Sequence, residues 1–419
     1  MTKNKNKNKI DKYKFKIYPK NIFNSLKMKT ESIVVNESRM NRVKEKYNFL
    51  KSKSGSHSPS ALLIQKEIPE VKLTIDCCFL SNPYATDAFM KRLKTAVSDE
   101  KWLYNQIESY PAQNVQIAEL VARSIGIKSE NIFIGNGATE AISAILNNFI
   151  KGKILIMLPT FSPYYEYINK ETTMVHYFPM IKGEDKFYFD IDNLICYCTT
   201  NEINNIVIIN PNNPDGSLVT KEKMKELLKR LDFMDNIILD ESFIEFAGTP
   251  ESVIDSFYEY KNLTIIRSMS KIFGIAGIRA GFCITKKEYV SKLLENGFLW
   301  NSNCFSIFFF ELLNDKEFME EYEKAKDKYN KELEAYYEEL EKCNSKIKFY
   351  KSKANFFLGE LIDKQKTVEE LMLYLLCEHG IYIRQCADKK GLSDRFFRIS
   401  SRNEEENKKI VEAFKQFNY

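Results

Sequence analysis

Seven short apolar runs set the limits on what this chain can fold into. They are Ile132-Phe-Ile134, Ile154 to Leu158, Val175 to Phe178, Ile206 to Ile209, Ile237 to Leu239, Leu263 to Ile266 and Phe282 to Ile284. Each reads as a buried strand, and amphipathic stretches such as Thr139 to Ile150 and Lys221 to Leu231 lie between several of them. That alternation predicts an α/β domain with a mostly parallel seven-stranded sheet flanked by helices and joined by right-handed crossovers. Ligands of such sheets collect beyond the carboxyl ends of the strands, and the polar motifs of this chain sit at those ends.

After Gly281 the texture changes. A highly charged helical stretch, Asp315 to Lys342, presents a solvated face and is followed by strand-like pieces at Lys346 to Tyr350, Phe356 to Leu361 and Ile381 to Arg384, and by an amphipathic segment from Glu404 to Phe417. These predict a second, smaller α+β domain. The expected division is a basic, structureless leader and linker over 1–60, an N-terminal segment packing on the small domain over 61–100, a large cofactor-binding domain over 101–300 and the small domain over 301–419. Lys51-Ser-Lys-Ser-Gly-Ser-His-Ser-Pro-Ser60 reads as the flexible part of the linker, and Met28 as an alternative start.

The formal net charge of +5 is misleading, because residues 1 to 30 hold ten lysines against one aspartate. The remainder is mildly acidic and offers no nucleic-acid surface. Nine cysteines without a CxxC pair point to reduced thiols and a cytosolic protein. With His57, His176 and His379 far apart, no histidine-based metal site is expected. No apolar run reaches membrane-spanning length, since the longest, Phe298 to Leu313, is broken by Asn301, Asn303 and Glu311.

The chemistry concentrates in Ser268-Met-Ser-Lys-Ile-Phe-Gly-Ile-Ala-Gly-Ile-Arg-Ala-Gly281. Ser268, Ser270, Arg279 and three glycines surround Lys271, which suits a loop that holds a phosphate. A lysine beside a phosphate site suggests a cofactor held by an imine; alone, Lys271 could equally be a surface lysine. Gly135-Asn-Gly-Ala-Thr-Glu140 joins a strand to a helix whose first-turn amides, after Gly137, could face an anion, or it is a plain turn. Asn210-Pro-Asn-Asn-Pro-Asp-Gly216 presents Asn213 from a constrained loop. Asp240, after Ile237 to Leu239, suits a salt-bridged hydrogen bond to a protonated ring nitrogen and should keep a low pKa beside that cation, or it caps a helix. Phe161 could stack on an aromatic cofactor or belong to the core. Arg398 and Arg384 lie in apolar runs, where each needs an anion: a substrate group, or a structural salt bridge.

Together these motifs resemble the class I/II aminotransferase family of pyridoxal-phosphate enzymes, fold type I, and within it the histidinol-phosphate aminotransferase and threonine-phosphate decarboxylase branch, from about Ile75 to Tyr419. The resemblance implies pyridoxal 5′-phosphate as cofactor, Lys271 as its Schiff-base lysine and proton shuttle, and Asp240 as partner of the pyridine nitrogen. It implies Asn213 as donor to O3′, Phe161 as the stacking ring, and Ala138, Thr139, Ser268, Ser270 and Arg279 as the phosphate cup. Tyr110 is similar to a tyrosine that reaches the cofactor phosphate of the neighbouring subunit, which implies a homodimer. Arg398 matches the α-carboxylate arginine, Arg384 a position that helps bind a distal phosphate, and Asn82-Pro-Tyr84 the amino-terminal substrate segment. Phe243 departs from the usual Asp-Glu-Ala-Tyr, and Trp300-Asn-Ser-Asn303 is also unusual; both look closer to the decarboxylases. The first expectation is an aminotransferase of a small phosphorylated amine or amino acid, the alternative a decarboxylase of phosphoserine or phosphothreonine. A ligand-sensing regulator is disfavoured, because residues 1–60 lack the periodicity of a helix-turn-helix.

Overall fold

The computed structural model describes residues 37–248 and 250–417. Met28 and the most basic part of the leader lie outside the described residues. All seven apolar runs are strands of one sheet, in the order Ile132–Asn136, Ala280–Ile284, Leu263–Ser268, Asn236–Asp240, Asn205–Ile209, Gly152–Leu158 and Thr173–Pro179. Ala280–Ile284 runs antiparallel to both of its neighbours, and the other pairings are parallel. The central strands are buried along their whole length, as a sheet with helices on both faces requires. Side chains alternate between two cores: Ile206, Ile208, Ile237, Leu239 and Ile265 face one, and Val207, Ile209, Ile238 and Ile266 the other.

The second domain is built on a four-stranded antiparallel sheet, Ile347–Phe349, Phe356–Leu361, Phe396–Ser400 and Arg384–Gln385, with the helices Val368–His379 and Glu404–Gln416. The charged stretch is one 28-residue helix, Lys316–Cys343. Phe318, Tyr322 and Tyr329 on it pack into the large core, whereas Leu333, Tyr336 and Leu340 pack into the small one. One rigid helix therefore serves both cores, and a boundary at residue 300 cuts across the large core.

The segment expected to be a structureless linker differs most. Glu37–Lys53 is a helix, and Val43, Tyr47 and Leu50, spaced four and three apart, bury against the small domain. A second helix, Ala61–Glu67, is capped by Ser60, whose hydroxyl accepts from Leu63 N at 3.2 Å. Lysines around three well-spaced apolar residues had masked an amphipathic helix. Among the described residues no helix is long and apolar enough to cross a membrane, and all nine cysteines are free thiols.

Candidate active site

Lys271 follows the strand Leu263–Ser268, Asp240 ends Asn236–Asp240, Asn213 follows Asn205–Ile209, Phe161 follows Gly152–Leu158, and Ala138 opens the helix after Ile132–Asn136. Crossovers of parallel strands bring these ends to one edge of the sheet. There they line a single cavity of about 450 Å³, joined by Thr139, Ser268, Ser270 and Arg279 from the large domain and by Arg384 and Arg398 from the small one.

The cavity has a cradle on one side. A Cβ on Gly281 would fall 2.3 Å from Ala138 N, and one on Gly137 would fall 2.4 Å from Arg279 Nη2, so both must be glycine for backbone and guanidinium to converge. Arg279 adopts a left-handed φ of 65° and donates to Ala276 O at 3.1 Å. Gly137 precedes the helix Ala138–Phe149 without a side-chain cap, leaving first-turn amides for an anion.

Asp240 also lines the cavity. Its Oδ1 accepts from Ser242 N at 2.8 Å and its Oδ2 from the Tyr164 hydroxyl at 2.8 Å. Burial pushes this carboxyl up, and the bonds from Ser242 and Tyr164 and the charge of Lys271 offset that only in part; the low pKa expected of it belongs to its pairing with a cationic ring. Lys271 moves the other way, to about 8, through desolvation and the nearby charges of Arg398 and Arg279. A buried carboxylate short of counter-charge, a lysine with an accessible neutral form and a glycine-backed cationic cradle are the donor set that pyridoxal phosphate requires at its ring nitrogen, carbonyl carbon and phosphate. The residues fit the group.

The two arginines part company. Arg384 is in a structural salt bridge, with Nη2 at 2.8 Å from both carboxylate oxygens of Asp388 and 2.7 Å from Ser56 O. Arg398 Nη1 donates to Asn213 Oδ1 at 2.7 Å and Nη2 to Cys78 O at 2.9 Å, while Nε has no partner. All its partners are neutral, so this half-buried cation is left for an anion that enters the cleft.

Asn82, Tyr84 and Tyr110 do not line the cavity. Asn82 caps the helix Pro83–Val97 and donates from its backbone to Lys271 O at 3.0 Å, and the Tyr84 hydroxyl donates to Glu332 Oε2 at 2.6 Å. Tyr110 is 90% exposed, beside Trp300. Trp300 to Asn303 is structural: Asn301 Nδ2 donates to Ile134 O at 2.8 Å, and Asn303 caps Cys304–Leu312.

Sequence reasoning missed Ser56, His57, Ser58 and Lys389, which complete the cavity wall. The first three lie in the supposed linker, and Lys51 holds that segment in place by donating to Gly55 O at 2.8 Å, to His57 O at 2.7 Å and to Asp388. No local signal separates such a strap from a flexible loop. Phe243 is also in the wall, edge-on to Phe356 at 5.1 Å, and Arg398 lies over the Phe356 ring at 5.2 Å.

The family model for aminotransferase class I and II matches residues 76–414. An L-serine phosphate decarboxylase of Campylobacter jejuni is 42% identical over 383 residues, covering 89% of this chain and 97% of that protein. The structure of a decarboxylase from Sulfurospirillum multivorans superposes with a TM-score of 0.84 at 38% identity, covering 90% of this chain and 96% of the other. The histidinol-phosphate aminotransferase from Clostridium acetobutylicum follows with a TM-score of 0.71 at 30% identity, covering 82% and 98%. These findings confirm the resemblance, the fold and pyridoxal phosphate as cofactor. They overturn transamination as the first expectation, because the relatives at 38 to 42% identity are decarboxylases.

Proposed function

Because this chain belongs to the aminotransferase class I and II family, and its more similar relatives decarboxylate, we propose that it is a pyridoxal-phosphate-dependent decarboxylase of an O-phospho amino acid, with L-serine phosphate as the substrate. The observation that carries this reading is the excess of positive charge on the small-domain side of the cavity. Arg398 and Lys389 are bonded only to neutral groups, which suits a substrate with an anion at each end.

Bound pyridoxal phosphate supplies the electron sink for the bond broken at Cα. Asp240 provides the negative charge that keeps the ring nitrogen protonated, with Tyr164 and Ser242 fixing its two oxygens. Arg398, lying over the buried Phe356 ring, orients the carboxylate beside Phe243, which is in the cavity wall with Phe161. That aromatic wall favours loss of a charged carboxylate as neutral carbon dioxide, since a low dielectric penalises the charge that is lost. Lys271 Nζ, with its pKa near 8, holds the proton that replaces carbon dioxide on Cα. Tyr110, together with the exposed Tyr104, Ile107 and Trp300, supports a homodimer in which Tyr110 serves the neighbouring cofactor phosphate. The free thiols support a cytosolic location.

The test is to incubate the cofactor-loaded protein with O-phospho-L-serine and to follow carbon dioxide, the phosphorylated amine and the cofactor spectrum. Carbon dioxide and amine formed in equal amounts without any 2-oxo acid are expected. Conversion of the cofactor to its amine form, reversed by a 2-oxo acid, would refute the reading.

A further inference from the structure

Arg384 and Lys389 both line the cavity, and their surroundings differ in one respect. The charge of Arg384 is already matched by Asp388, and its Nη1 is occupied by Gln385 O. Asp388 is in turn held by Lys51. An incoming phosphate would have to displace that carboxylate.

Lys389 is 8% exposed, and its Nζ donates to Ser162 Oγ at 2.8 Å and to Ser56 O at 3.4 Å. Both acceptors are neutral, and among the described residues no carboxylate is in salt-bridge contact with it. Burial and the charge of Arg384, with a smaller push from Arg398, bring its pKa down to about 8, and the charge of Asp388 offsets this only in part. Ser162 is fully buried, and its hydroxyl lies 2.9 Å from Ser56 Oγ. The Lys389 ammonium and Ser56 therefore stand together in the cavity wall with the buried Ser162 hydroxyl behind them, and Arg384 grips the Ser56 carbonyl.

We propose that Lys389, with the hydroxyl of Ser56, binds the phosphate of the substrate, while Ser162 and Arg384 are positioning residues, Ser162 holding the lysine and Arg384 the strap. This rests on the phospho-amino-acid reading above. It adds that recognition of the phosphate is shared between the small domain and residues 54–58, so the segment before Ala61 is part of the binding site.

The experiment compares wild type, Lys389→Met and Lys389→Arg as cofactor-loaded full-length proteins, with circular dichroism confirming the fold. Lys389→Met is expected to raise KM for O-phospho-L-serine about ten- to a hundredfold with a smaller change in kcat, and to weaken inhibition by inorganic phosphate to the same degree. Lys389→Arg should recover much of both. The spectral response to unphosphorylated L-serine should be equal in all three. An unchanged KM and phosphate inhibition in Lys389→Met would overturn the proposal, as would equal losses toward L-serine and O-phospho-L-serine. Phosphate binding to the resting holoenzyme separates the two readings. If wild type binds phosphate through Lys389 yet releases no carbon dioxide from O-phospho-L-serine, the subsite stands and the decarboxylase reading falls.

Discussion

Tyr164 donates a 2.8 Å hydrogen bond to Asp240 Oδ2, 76 residues away, and both side chains are buried. The bond lowers the pKa of a carboxyl that burial raises, and it leaves Oδ1 to Ser242 N. Tyr164→Phe should therefore weaken the ion pair with the cofactor's ring nitrogen. Loss of a hydrogen bond to a charged group is worth about 1.5–3 kcal/mol, so cofactor affinity should fall by one to two orders of magnitude. Fluorescence titration of the apoprotein with pyridoxal phosphate measures this, and unchanged affinity would mean that Ser242 alone suffices.

The amine of Lys271 must be neutral to react with the cofactor, and its pKa of about 8 decides when it is. Reconstitution of the apoprotein should quicken about tenfold per pH unit up to about pH 8 and level off above it. Arg398→Gln removes one of the charges that depress this pKa, so the inflection should move upward. A rate still climbing at pH 10 in wild type would contradict the assignment.

Asp388 titrates below the ordinary carboxylate range: burial would raise it, but Arg384 and Lys51 outweigh that effect. A depressed carboxyl stabilises the fold above its unfolded pKa, and that contribution is lost as the pH falls through the folded value, below about 4. Asp388→Asn removes the contribution at all pH values. Thermal stability at pH 7 should drop by about 1–3 kcal/mol, with faster proteolysis within residues 51–60, and the gap between variant and wild type should narrow as the pH falls toward the depressed pKa of Asp388.

Tyr47 is 1% exposed and meets the Tyr382 ring edge-on at 6.2 Å. Tyr47→Ala should cost about 3 kcal/mol through the cavity it leaves. Because the helix carrying Tyr47 leads into the strap, KM for the phosphorylated substrate should also rise. A stability loss without a change in KM would show that the strap is held from Asp388 alone.

Ile107 is 73% exposed beside Tyr110. If the dimer shares its active sites, Ile107→Glu should yield a species of half the wild-type mass by light scattering, with weakened cofactor binding. A monomeric wild type that binds cofactor fully would refute the shared site.

Much of the molecule is legible along the chain. A strand in a covered sheet is a local run of apolar residues, so all seven could be placed, and the motifs after Ile134, Leu158, Ile209, Leu239 and Ile266 fell at strand ends that the fold gathers together. Lys271, Asp240, Asn213, Phe161 and Arg398 were readable because each stands in a short motif whose neighbours constrain it.

The charge states and the walls of the cavity were decided by the tertiary structure. Arg384 and Arg398 look alike in sequence, but only one has a carboxylate opposite it, and that depends on how a turn brings Asp388 back against the strand. Lys389 is one lysine among many until Ser162, 227 residues earlier, and Ser56, 333 residues earlier, enclose it. The Ser-Gly-His-Pro strap has the composition of a linker because its own residues supply no apolar surface, and Lys51, Arg384 and Tyr382 hold it from outside. Hydrophobic periodicity is a local property and survives in the linear chain; burial and Coulomb interaction are sums over neighbours that only the folded chain assembles.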